Sequence, residues 1–121
     1  MSKKVLIVDD SLAMRRMIAF TLESNGFSVI QGSNGAEGLD LLGKQSADLI
    51  IADVNMPVMD GITFVRHARG LPGFETIPIL MLTTENLKSR VAEAREAGAS
   101  GWLVKPFRPE RLVEVVGRVL S

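Results

Sequence analysis

Three carboxylates, a hydroxyl and an ammonium stand directly behind short apolar runs in this chain. Asp9 and Asp10 follow Val5–Val8, and Asp53 follows Leu49–Ala52. Thr83, with Thr84 and Glu85 behind it, follows Ile79–Leu82, and Lys105, with Pro106 behind it, follows Trp102–Val104. Each has a plain explanation alone. An acid after a strand is usually a turn former or helix cap, a Lys before a Pro a solvated loop residue, and a Thr at a strand end a β-former. Their joint placement points further. Three carboxylates brought together repel one another unless a cation answers them. A donor set of oxygens, in a chain with no Cys and one His, favours a hard ion such as Mg²⁺. A carboxylate beside such an ion, facing a Lys and a hydroxyl, is suited to accept a phosphoryl group. The carboxylate is the nucleophile, the metal and Lys neutralise the transferring oxygens, and the hydroxyl binds the product.

Convergence of these groups requires the apolar runs to be strands of one sheet. Together with Phe27–Ile30 there are five such runs, several without polar alternation, the pattern of strands buried on both faces. Amphipathic stretches separate them. Ser11 is placed to cap a first helix carrying Met14, Met17, Ile18 and Leu22, with Gly26 as its stop. Asn34 and Glu37 form a capping-box-like pair before Ala36, Leu39 and Leu42, where Gly38 and Gly43 weaken the helix. Ile62, Val65 and Ala68 mark a third helix ending near Gly70. Leu87, Val91 and Ala94 mark a fourth closed by Gly98. Pro109 suits a first helical position ahead of Leu112, Val115, Val116 and Val119. The segment 69–78 reads as a surface loop. Five strands alternating with five helices predict a small doubly wound α/β domain with a parallel sheet. In such sheets ligands bind at the carboxyl ends of the strands, where the five polar residues fall.

Composition agrees and excludes other classes. The 121 residues suit one compact domain, and 46% hydrophobic with 23% charged residues is a globular balance. Fourteen basic against fourteen acidic side chains give no basic footprint for nucleic acid. The absence of Cys excludes disulfides, thiolate chemistry and Cys-based zinc sites. No apolar run has the length of a signal peptide or membrane span, so a cytoplasmic protein is expected.

Four segments, VLIVDDS (5–11), DLIIADVNMPVMDG (48–61), PILMLTTE (78–85) and GASGWLVKPF (98–107), in this order and spacing, resemble the receiver domain of two-component response regulators, in particular the free-standing chemotaxis type. The resemblance spans nearly the whole chain, 1–121, and implies the flavodoxin-like strand order 2-1-3-4-5. It further implies that a sensor histidine kinase phosphorylates Asp53, the receiver catalysing only its own phosphorylation and dephosphorylation. Asp10, Asp53 and the Asn55 carbonyl would bind Mg²⁺ directly, with Asp9 acting through water. Lys105 would contact the phosphoryl group, its bond to Pro106 being cis. Thr83 would swing toward the phosphate and Trp102 turn inward behind it, while Asn55 and Glu85 tune the phosphate lifetime. The readout would lie on the face of the fourth helix, fifth strand and fifth helix (87–95, Trp102, 108–114). It would be read by a downstream protein in chemotaxis or flagellar motor control, or in a phosphorelay, with a phosphatase as a further partner and no nucleic acid or membrane. With no room for an output domain, output is expected to be protein–protein contact.

Some residues carry two readings. Trp102 stands where Tyr or Phe is commoner: the indole either caps the sheet edge, half exposed, or biases an inward–outward equilibrium. Met56 and Met59 are core filler or a gate beside Asp53. Arg15 and Arg16 are a solvated face or part of a docking surface, and His67 is a surface residue rather than a relay histidine. Two rivals of other classes fit this sequence less well. A Mg²⁺-dependent phosphatase of the haloacid-dehalogenase type would use Asp53 as nucleophile, but that family carries its nucleophile near the chain start and needs a longer core. A flavin carrier would need hydroxyls and glycines where Asp9 and Asp10 stand.

Overall fold

The computed structural model describes residues 2–84 and 89–121. Five strands, β1 (Lys4–Val8), β2 (Ser28–Gly32), β3 (Leu49–Asp53), β4 (Ile79–Thr84) and β5 (Gly101–Lys105), alternate with five helices: α1 (Leu12–Glu23), α2 (Gly35–Lys44), α3 (Gly61–Arg69), α4 (Val91–Ala97) and α5 (Pro109–Leu120). The strands form one parallel sheet in the order β2-β1-β3-β4-β5. The order reverses at β1, whose two neighbours are β2 and β3, so Asp9 and Asp53 leave adjacent strands at the point where a crevice opens.

The unbroken apolar runs have the cause expected of them. Leu6 and Val8 of β1 and Ile50 and Ala52 of β3 pack on one face against Leu42, Ile62, Phe64, Val65 and Ala94. Val5, Ile7, Leu49 and Ile51 pack on the other against Ile18, Leu22, Leu112, Val115 and Val116. Helices α2, α3 and α4 therefore cover one face, α1 and α5 the other, and both faces are dry.

The strands outrun their apolar residues. β2 begins at Ser28 and continues through Gln31 and Gly32, which pair with Ile7 and Val8. β4 reaches Thr84, paired with Lys105. A parallel neighbour supplies hydrogen-bond partners whatever the side chain, so pairing carries polar residues to the strand ends, where the site lies. Caps behave as expected: the Ser11 hydroxyl accepts from Met14 N–H and the Asn34 side-chain Oδ1 from Glu37 N–H. The Glu37 carboxylate reaches one residue beyond the cap, to the Ser33 N–H and hydroxyl. Helix α1 ends before Gly26, at Glu23, and Leu87 lies outside the described residues.

The segment 69–78 is not simply a surface loop. Phe74 is buried within it, and Arg69 donates to the carbonyls of Phe74 (2.8 Å) and Gly98 (2.7 and 3.1 Å). One guanidinium thus ties the loop and the end of α4 to the end of α3. Burial lowers the Arg69 pKa.

Candidate functional site

Asp9 is held at every polar atom. Its N–H donates to Gly32 O (3.2 Å), continuing the β1–β2 ladder one residue past the strand. Its Oδ1 accepts from Ser11 N–H (2.8 Å), its Oδ2 from Lys105 Nζ (3.2 Å), and its carbonyl from the Arg15 guanidinium. The side chain is fully buried. Asp10, one residue on, is exposed. Arg15 is accordingly neither idle nor wholly free for docking, since it pins the loop that presents the two acids.

Asp53 ends the central strand, nearly buried, with Oδ2 3.0 Å from Lys105 Nζ and Oδ1 facing Asn55 N–H at 3.4 Å. Lys105, at the end of β5, reaches across β4 to both acids, and the Lys105–Pro106 peptide is cis. Carboxylate oxygens of Asp9, Asp10 and Asp53 all lie within 4.8 Å of one another. One ammonium among three carboxylates leaves a local excess of negative charge, and the donors are hard oxygens. That set fits a divalent cation such as Mg²⁺.

The protons are distributed accordingly. Burial pushes the Asp53 carboxyl above its ordinary value and the Asp9 charge adds to this, outweighing the hydrogen bond and charge of Lys105. Burial alone would depress Lys105, but its two carboxylate partners more than offset it and hold its pKa above the ordinary lysine value. A single cation shared by two buried acids satisfies itself more fully than either acid.

Thr83 is buried, but its hydroxyl donates to Thr84 O (3.2 Å) rather than reaching Asp53. Asn55 is exposed, and Glu85 lies outside the described residues. Trp102 is 37% exposed at the sheet edge, with the Arg95 guanidinium 4.6 Å from its ring centroid. Met56 is buried in the core and Met59 packs on α2, where its sulfur would lie 2.9 Å from a β-carbon at Gly35, so neither stands free over the acids. His67 is exposed.

Two residues escaped the sequence reading. Asp60 caps α3 by accepting from Thr63 N–H (2.9 Å), which holds its carboxyl below the ordinary range, and its other oxygen meets Arg90 at 3.5 Å. Gly61 lies directly against the Asp53 backbone. The Asp-Gly pair closing the loop was the available signal: a capping acid followed by the residue without a side chain.

Comparison with known proteins agrees with this geometry. The family model for the response regulator receiver domain matches residues 5–117. A chemotaxis protein CheY homolog of Campylobacter jejuni is 42% identical over 120 residues, covering 98% of this chain and 92% of the relative. The chemotaxis protein CheY of Bacillus subtilis is 36% identical over 122 residues, with both chains fully covered. The solved structure of the chemotaxis response regulator CheY4 of Vibrio cholerae superposes with a TM-score of 0.95 at 46% identity, covering 99% of this chain and 100% of that one. The chain therefore belongs to the response regulator receiver domain family, as a receiver of the CheY type.

Proposed function

We propose that this protein is a phosphorylation-driven switch whose acceptor is Asp53. CheY-type receivers take phosphate from a histidine kinase and act on downstream targets. What supports Asp53 as the acceptor is its position: a carboxylate at the end of the central strand, bonded on Oδ2 to a lysine from another strand end. An Asp53 oxygen attacks the phosphorus of the kinase phosphohistidine. The new O–P bond forms as the P–N bond breaks, and the departing imidazole keeps the electron pair and takes up a proton from solvent. Lys105, held protonated by its two carboxylates, turns a donor from Asp53 to a phosphoryl oxygen as charge moves outward. Its second bond, to Asp9, keeps Nζ at the site during that exchange.

Asp10 and Asp53 with the Asn55 carbonyl would hold Mg²⁺, and Asp9 would act through water. Both Asp9 carboxylate oxygens already have donors, which fits that outer role. Bound Mg²⁺ supplies further neutralisation of the phosphoryl oxygens. Thr83 then gives up its bond to Thr84 O for the phosphate, and Trp102 turns toward the space it vacates. Asn55 and Glu85 set the phosphate lifetime. The change reads out on the surface of α4, β5 and α5 to a downstream protein, in chemotaxis or flagellar motor control, in the cytoplasm. No described helix is long and apolar enough to cross a membrane.

Intact mass after incubation with acetyl phosphate and Mg²⁺ tests the assignment. One labile phosphoryl adduct is expected in the wild type and none in Asp53→Asn. Failure to form any Mg²⁺-dependent adduct would refute it, and multiple turnover of unrelated phosphomonoesters would favour a phosphatase. A pull-down comparing phosphorylated protein with Asp53→Asn then identifies the partner.

A further inference from the structure

We infer that Arg95 is a latch that holds the Trp102 indole in its outward position and thereby sets how readily the switch turns on. The inference rests on the reading of Trp102 as a mobile residue. Arg95 projects from α4 with its guanidinium 4.6 Å from the ring centroid, within cation–π range. The indole it covers sits at the sheet edge, one residue outside the buried Leu103.

Behind the indole lies a narrow hollow walled by Val54, Thr83, Val91, Ala94 and Trp102 itself. It has room for about one water molecule, so an indole cannot enter while α4 stays in place. Val91 and Ala94, which close the hollow, and Arg95, which holds the indole outside, belong to the same short helix. A displacement of α4 therefore opens the hollow and withdraws the guanidinium in one movement. Arg90, which also lines the hollow, bonds Glu93 at 2.8 Å and Asp60 at 3.5 Å, tying the start of α4 to the start of α3. Arg95 carries the guanidinium that lies over the indole face. Phosphorylation must overcome this contact, and a chain without it reaches the inward arrangement at lower ligand concentration.

Trp102 is the only Trp and the chain has no Tyr, so intrinsic fluorescence reports this residue alone. Wild type, Arg95→Ala, Arg95→Lys and Val91→Ala are titrated with beryllofluoride, a phosphoryl mimic, in Mg²⁺. Loss of the latch lowers the half-saturating concentration of Arg95→Ala by about two- to fivefold, the factor that an exposed cation–π contact carries. Arg95→Lys, which keeps the charge without the planar stack, falls between. Val91→Ala widens the hollow and lowers half-saturation with or without a latch, showing that the assay registers such a shift. A responsive wild type and Val91→Ala with an unshifted Arg95→Ala overturn the latch alone. A wild type whose fluorescence ignores full saturation, judged by native mass spectrometry of the intact complex, overturns the mobile-tryptophan reading and the latch with it.

Discussion

Gly61 approaches the main-chain carbonyl of Asp53 so closely that a β-carbon there would stand 2.1 Å from the oxygen. The Gly61 N–H donates to Val54 O at 2.7 Å, and the Asp60 cap starts α3 in the same turn. The loop leaving the acceptor is thereby folded back onto the strand that presents it. The obstruction is backbone, which cannot swing aside as a side chain could. Gly61→Ala should cost about 3 kcal/mol in urea unfolding, with labelling at Asp53 slowed in whatever fraction folds. A loss below about 0.5 kcal/mol would mean that the loop yields easily and that this close approach does not position Asp53.

Asp53 and Lys105 depend on pH in different windows. A carboxyl that holds its proton more tightly in the folded chain stabilises the fold most at and below the ordinary carboxylate pKa. That contribution is lost as the pH rises through the elevated folded value. Lys105, also raised, contributes fully at neutral pH and loses its contribution only in alkaline solution, above the ordinary lysine value. At pH 7 without metal, Asp53→Asn should therefore be more stable than the wild type, and the difference should shrink as the pH falls into the acid range. Added Mg²⁺ should narrow the gap by raising the wild type, by about 2.7 kcal/mol at one hundred times its dissociation constant, while Asp53→Asn responds weakly. Thermal melts across pH, with and without Mg²⁺, measure both effects. A destabilised Asp53→Asn in the absence of metal contradicts the account of charge crowding.

Val58 takes a left-handed backbone conformation, φ 72°, at the tip of the loop between Asp53 and α3. The Met59 N–H donates to Pro57 O at 2.7 Å, so Val58 is the middle residue of a tight three-residue turn. A β-branched residue is strained there, and at 80% exposure it recovers little by packing. Glycine, with no β-carbon, takes this conformation without strain. Val58→Gly should stabilise the fold by about 1 kcal/mol, measured by urea unfolding, and leave the extent of phosphorylation unchanged. A neutral or destabilising result would show that the valine side chain makes a contribution exceeding its strain.

Where the sequence could be read and where it could not follows from which interactions are local. The dry parallel sheet was visible because burial on both faces removes the polar alternation from Val5–Val8 and Leu49–Ala52, and the caps at Ser11 and Asn34 were visible because their partners lie three residues away. The acids and Lys105 could be recognised as one group because strand ends share an edge of the sheet. Their individual engagements could not. That Asp9 is bonded at every polar atom depends on Gly32 and Lys105, partners far along the chain. The burial of Phe74 depends in the same way on how the loop folds, and the hold of Arg69 on the end of α4 joins residues 29 apart.

Two glycines of α2 make that distinction measurable. Both weaken the helix by the same local rule, since glycine gives up more backbone freedom there than alanine. Their surroundings differ. A β-carbon at Gly38 would lie 2.8 Å from Val8 Cγ2 and 3.0 Å from Phe64 Cε1, and at Gly43 it would meet nothing within 4 Å. Gly38 lets α2 settle on β1 immediately before Asp9, whereas Gly43 faces open space. Gly43→Ala should stabilise the protein by about 0.5–1 kcal/mol, the helix-propensity gain alone. In Gly38→Ala the same gain is opposed by overpacking of two fully buried side chains, typically about 1–3 kcal/mol, so the net change should be destabilising. Equal stabilisation by the two substitutions would mean that Val8 and Phe64 can make room. The contact between α2 and the strand leading to Asp9 would then be looser than the described packing.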